Sequence, residues 1–147
     1  MTTRNNPTMT SVALLVLRVV LGFILAAHGW QKFFQYTLGG ATASFEQMGV
    51  PLASVVAPAV ATLELAGGIA LVLGVLTRVA AALLAVDMLG ALFLVHLSAG
   101  IFVDNGGYEL VAILAAAAAA LVLAGPGAYS VDRFIFARKA AVAVPGA

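Results

Sequence analysis

The sequence predicts an all-α membrane protein: a four-transmembrane-helix bundle with both termini cytoplasmic, and short interfacial helices after the first span and at the C-terminus. Three observations carry this expectation. The 147 residues are 63% hydrophobic and only 9% charged, whereas a soluble domain averages about 25% charged residues. Mean hydropathy is +1.12. Apolar runs recur at the length of a bilayer crossing, about 20 residues each. So little polar surface cannot cover a water-facing globule, and one domain over residues 1–147 is the natural count.

The runs place the spans at about 12–34, 52–76, 79–99 and 108–124. Arg4 ahead of the first run, with Leu25-Ala26-Ala27 inside it, has the outline of a signal peptide. Arg18 interrupts that run, which also continues past a usual signal core, so the segment reads as a retained span. Pro51 suits the first position of the next helix. Pro58 should kink span two or mark its true start. The short Leu76–Arg78 link forces spans two and three into an antiparallel hairpin. Gly125-Pro126-Gly127 stops the last span.

Between spans one and two, Phe45 and Met48 sit among polar neighbours, which predicts a short interfacial helix. Ser130 is an expected N-cap for residues 131–139. There Phe134, Ile135 and Phe136 beside Arg133, Arg138 and Lys139 suit a helix lying on headgroups. The run Ala115–Ala120 reads as a close-packing helix face, and no internal repeat is evident. Four crossings put Arg4, Arg78, Arg133, Arg138 and Lys139 on one side, with Lys32, Glu46, Asp104 and Glu109 on the other. The basic side is cytoplasmic by the positive-inside rule.

Arg18, Glu64 and Asp87 are ionisable groups inside apolar runs. Each costs roughly 2.5–3.5 kcal/mol at mid-helix on insertion scales, so each demands a partner. Counted along helices, Arg18 and Asp87 lie roughly 9–12 Å and Glu64 roughly 18 Å from the cytoplasmic ends. The guanidinium fork matches carboxylates, so one intramembrane cluster of Arg18, Glu64 and Asp87 is expected. It serves as a structural network, a proton path or a polar ligand pocket. These residues ride on faces rich in small side chains: Gly22 and Gly29 with Arg18, Gly67 and Gly68 with Glu64, Gly90 and Ala91 with Asp87. Such faces let backbones approach, and Gly74 is assigned to packing as well.

A second polar layer is expected nearer the outer surface. His28 and His96 fall at similar depths, roughly 24–26 Å from the cytoplasmic ends. Gln31, Lys32 and Glu109 join them near the boundary, with Trp30, Tyr36 and Tyr108 as an aromatic belt. His28, Lys32 and His96 are the ligand or quinone-contact candidates. Asp87 and His96 are nine residues apart, which puts them on opposite sides of a straight helix. His96 is therefore expected to face a neighbouring helix, a second subunit or headgroups.

Several chemistries are excluded or unsupported. Without cysteine the chain carries no disulfide, thiolate metal site or dithiol relay. Two histidines on different helices, without Glu-x-x-His pairs, predict no metal site. There is no Walker pattern, no His-Glu-x-x-His and no Ser-His-Asp order. Basic residues are too few and scattered for nucleic acid.

Short motifs are spread along the chain: Arg18-Val-Val-Leu-Gly-Phe, Ala27-His-Gly-Trp-Gln-Lys-Phe-Phe and Phe45-Glu-Gln-Met-Gly-Val-Pro. They continue through Glu64-Leu-Ala-Gly-Gly, Leu76-Thr-Arg, His96, Gly106-Gly-Tyr-Glu and Gly125-Pro-Gly-Ala-Tyr-Ser-Val-Asp. By these motifs and their spacing the chain resembles the DoxX family of small bacterial membrane proteins. The resemblance implies a four-helix protein of the bacterial plasma (inner) membrane, related to a small subunit of thiosulfate:quinone oxidoreductase and to quinone-linked or thiol-redox settings. The polar signature it implies falls on Arg18, His28, Lys32, Glu64 and His96; Asp87 stands outside it. Lacking cysteine, the chain needs a quinone, a partner subunit or another cofactor for any redox role. The expected functions are an accessory subunit of a redox or quinone-linked system, a structural or assembly protein, or a small-solute or proton carrier. Expected partners are the lipid bilayer, other membrane redox subunits and further copies of the chain.

Overall fold

A computed structural model describes residues 6–135 of the chain. Arg4, Phe136, Arg138 and Lys139, on which the expected orientation and tail helix partly rest, lie outside the described residues.

The first helix, α1 (Pro7–Trp30), begins where Asn6 accepts a hydrogen bond from the Thr8 N–H at 3.1 Å and Pro7 supplies a pre-set φ. It runs without a break into a wide i→i+5 turn at Gln31–Gln35. A short helix, α2 (Thr37–Gln47), follows where an interfacial helix was expected. Thr37 has φ +61°, and its hydroxyl accepts from the Gly40 N–H at 3.3 Å. The helix α3 (Ala53–Leu73) starts after Leu52, which adopts a left-handed conformation at φ +53°. That reversal leaves Pro51 in the preceding turn, not at the first helical position. Pro58 lies inside α3 and does not mark its start.

A tight reversal at Gly74–Leu76 leads to α4 (Thr77–Ala91). This helix continues through a second wide turn, Leu92–His96, and a 3₁₀ turn, Leu97–Ala99. After a 3₁₀ turn at Val103–Asn105 comes α5 (Glu109–Ala124). A helical turn at 131–135 closes the described chain, capped by Ser130, whose Oγ accepts from the Arg133 N–H at 3.2 Å. Among the described residues there is no strand.

Among the described residues, three helical stretches are long and apolar enough to cross a membrane: Pro7–Gln35, Ala53–Leu73 and Thr77–Ala99. The sixteen residues of α5 rise about 24 Å, short of a hydrocarbon core of about 30 Å.

Packing follows the small-residue faces. α1 lies most extensively against α3, and α4 against α5. A β-carbon on Gly22 would come within 2.5 Å of the Gly68 carbonyl oxygen, and one on Gly68 within 2.5 Å of the Ala26 nitrogen. The two backbones are in contact, so glycine is required on both sides. Leu21, Leu25, Leu71, Leu84 and Leu121 form the centre of the core, and Ala115 and Ala118 from the alanine run are buried within it. The apolar side chains left exposed, among them Phe23, Val86 and Leu123, belong to surfaces that face lipid in a membrane protein.

Candidate functional site

The intramembrane charges do not form the single cluster expected from depth and charge. Arg18 is 1% exposed and turns toward the segment after α5. It donates to the Pro126 carbonyl at 3.0 Å and the Tyr129 carbonyl at 2.6 Å. Its guanidinium packs against Gly74, where φ is +73° and any side chain would collide with it. Glu64 is ten residues up the same helix from Gly74, about 15 Å along the axis. A side chain that reaches carbonyls at one end of α3 is not available to carboxylates in its middle.

Asp132 completes this assembly at the Gly74 end of α3 and was not singled out by charge or depth. Its carboxylate accepts from the Leu76 and Thr77 N–H groups at 2.7 and 2.8 Å, and its own N–H donates to the Gly74 carbonyl at 2.8 Å. It thereby caps the first turn of α4 from another part of the chain and satisfies the end of α3. The signal was present in the Gly125–Asp132 segment that carries part of the family resemblance. No local pattern says which helix that aspartate would cap.

Glu64 pairs instead with Lys32, Nζ to Oε2 at 2.5 Å, with side-chain exposures of 5% and 16%. The wide turn Gln31–Gln35 presents Lys32 at the level of Glu64. This merges the two polar layers expected from the sequence. Glu64, Asp87, His28, Lys32 and His96 all line one cavity of about 550 Å³ between the five helices α1 to α5 and the loop before α5. Asp87 lies within electrostatic range of both Glu64 and Lys32. Its Oδ2 is buried and has no hydrogen-bond partner.

His96 and Asp87 share this cavity, contrary to the straight-helix expectation. The helix between them is not regular: the wide turn at Leu92–His96 rotates less per residue than an α-helix and slips the phase of everything after it. His96 also bonds to the loop, Nδ1 to the Gly106 carbonyl at 2.6 Å. His28 bonds within its own helix, Nδ1 to the Ile24 carbonyl at 2.9 Å. Glu109 does not join this lining; its Oε1 accepts from the Val103 N–H at 2.7 Å and ties the loop to α5. Gly90 was expected to pack against a neighbour. A β-carbon there would meet nothing within 4 Å, because Gly90 opens onto the cavity.

The aromatic side chains divide. Trp30 and Tyr36 are exposed at the end of the first span, Trp30 stacked at 3.9 Å on Phe34. Tyr108 packs on the core. Among the described residues no group of three His, Cys, Asp or Glu side chains could hold a metal ion. The remaining walls of the cavity are mostly apolar, including Phe45, Met48, Val60, Leu94 and Leu114, with Gln31, Tyr36 and Ser44 as further polar groups. A volume of this size with apolar walls and a few polar groups is typical of a small-molecule site, roughly 300–1,000 Å³. Two wide turns in different helices opening on one cavity add weight, since such turns concentrate at functional sites.

Comparison with known proteins gives consistent results. The family profile described as DoxX matches residues 13–97. The chain is 32% identical to the putative oxidoreductase CatD of Bacillus subtilis, covering 87% of this chain and 90% of that one. It is 34% identical to the inner membrane protein YqjF of Escherichia coli, covering 86% and 95%. It is 32% identical to the uncharacterized membrane protein Rv3486 of Mycobacterium tuberculosis, covering 88% and 85%. No solved structure matches.

Proposed function

Because the chain belongs to the DoxX family of bacterial inner-membrane proteins, we propose that it is an accessory subunit of a redox or quinone-linked membrane system, with the cavity as the seat of a quinone-type head group. The observation that carries this reading is the cavity itself: largely apolar walls, the ionisable side chains of His28, Lys32, Glu64, Asp87 and His96 among its lining, and a buried Asp87 oxygen with no partner. A buried polar atom without a partner costs about 1–3 kcal/mol, so a polar ligand group that pairs with the Asp87 carboxyl stabilises the site. The name of the Bacillus subtilis relative, a putative oxidoreductase, points the same way.

The residues fit such a group. About 550 Å³ accommodates a substituted six-membered ring and the start of an apolar tail. His28, His96 and Asp87 supply hydrogen-bonding contacts, while the Lys32–Glu64 pair fixes the first span against the second. A quinone supplies two-electron, two-proton chemistry when bound. The chain's own part is to orient the head group, exclude bulk water and offer proton-accepting atoms. Electrons must pass to or from a partner subunit. In this reading α5 makes a fourth crossing despite its length, with the bilayer locally thinned, and the end bearing Arg78 and Arg133 is cytoplasmic.

Gentle isolation from native membranes, followed by solvent extraction and mass spectrometry, tests the proposal. It predicts roughly one quinone per chain, the stoichiometry of a single site. Quinone no higher than in lipid from protein-free membrane would refute it.

A further inference from the structure

The cavity is built into one half of the bundle. Its lining comes from α1 beyond His28, from α2, from α3 as far as Glu64, from α4 beyond Asp87 and from α5 as far as Leu114. The floor, Glu64, Met88, Val111 and Leu114, is buried. The exposed members of the lining, among them Tyr36, Ser44, Met48, Leu94 and Val103, lie at the end of the bundle where α2 and the loop before α5 meet. We infer that the cavity is a blind pocket whose polar ligand groups and protons are exchanged with one face of the membrane only, the face of α2 and that loop, and not with the face bearing Arg78 and Arg133. Access of this kind follows for any polar ligand; its consequence for redox protons rests on the quinone-site reading.

Below the floor no path continues. Glu64 is nine residues from the end of α3 at Leu73, and Asp87 is nine residues from Arg78. Each span is about 14 Å along the axis, close to half a hydrocarbon core of about 30 Å. That layer holds Leu25, Leu71, Ala81, Leu84, Ala118 and Leu121, none more than 1% exposed. Interiors packed in this way leave few voids as large as a water molecule, and none of these side chains can carry a proton. At the far end Arg18 holds the Pro126 and Tyr129 carbonyls and Asp132 caps α4, which closes the bundle behind the packed layer. Protons exchanged by a bound quinone therefore pass to or from the aqueous phase on the α2 face.

The chain has no cysteine, so single cysteines report access without background. Gly90→Cys puts a thiol into the cavity, where a β-carbon meets nothing within 4 Å. Asn105→Cys marks the α2 face, Tyr129→Cys the opposite face and Ala81→Cys the packed layer. Each full-length variant is treated with the small membrane-impermeant reagent sulfonatoethyl methanethiosulfonate, in right-side-out and in inverted membrane vesicles. Thiols left unreacted are counted with a maleimide after denaturation. Gly90→Cys should react at least about tenfold faster from the side that reaches Asn105→Cys than from the side that reaches Tyr129→Cys, because a charged reagent would otherwise have to cross an apolar layer. Ala81→Cys should react from neither side. Equal rates at Gly90→Cys from the two sides, faster reaction from the Tyr129→Cys side, or Ala81→Cys as reactive as Gly90→Cys overturns the seal. No reaction of Gly90→Cys from either side overturns the mouth, and Asn105→Cys and Tyr129→Cys reacting from the same side overturns the two opposed faces. None of these outcomes depends on quinone content, so the quinone site stands or falls separately by extraction.

Discussion

Asp132 accepts the Thr77 N–H at 2.8 Å across 55 residues of sequence, so the first turn of α4 is capped by a side chain from beyond α5. The same carboxylate holds the Leu76 N–H, and Arg18 holds the chain that delivers it through the Pro126 and Tyr129 carbonyls. Leu76 is itself left-handed, at φ +48°, and supplies no side-chain cap of its own. The turn therefore depends on an acceptor from elsewhere.

Asp132→Ala should lower stability by about 2 kcal/mol, the upper range for loss of a cap, because two N–H groups lose their acceptor. Asp132→Asn should retain roughly half of that, since its amide oxygen still accepts. Thermal unfolding in detergent checks the order. Quinone content per folded chain should be unchanged in both, because Asp132 does not line the cavity.

Lys32 and Glu64 give a different signature. Lys32→Met leaves a buried carboxylate alone and should cost about 3–5 kcal/mol, whereas adding Glu64→Leu should recover most of the loss. A double-mutant cycle on unfolding free energy reads this directly. Equal stability of the single and double variants would show that the pair contributes nothing to joining the spans.

The α1–α3 contact predicts a steric result. Gly68→Leu places a side chain 2.5 Å from the Gly22 carbonyl oxygen and the Ala26 nitrogen, backbone atoms that cannot swing aside. The helices must part, at a cost of about 3 kcal/mol or more. Ala at Gly90 meets open space and should be neutral or slightly stabilising, as helix propensity favours it by up to about 1 kcal/mol. Denaturation midpoints of the two variants should move in opposite directions or differ by many degrees.

Much of the fold was legible because lipid leaves few options. Hydropathy located the three long apolar helices and α5 within a few residues, and the glycines of α1 and α3 marked faces that pack inside the bundle, though not that they pack on each other. Charge pairing was not legible. Depth counting assumes straight, uniform helices, and the wide turns at Gln31–Gln35 and Leu92–His96 break that assumption where the polar residues lie. Lys32 consequently meets Glu64, and His96 joins Asp87 in one cavity. Arg18 was assigned to carboxylates because its carbonyl partners, Pro126 and Tyr129, carry no sequence signature as acceptors.

The central claim is that the cavity beside Asp87 holds a quinone-type ligand, and Gly90→Leu addresses it most directly. The new side chain enters space that no atom occupies within 4 Å of its β-carbon, so the fold is kept while the cavity is filled. The measurement is quinone per chain, by extraction and mass spectrometry, in wild type and Gly90→Leu isolated side by side from native membranes. The account predicts bound quinone in wild type and a loss of about tenfold or more in the variant, with unfolding temperature preserved. Equal quinone in the two proteins, or none in either, would contradict it.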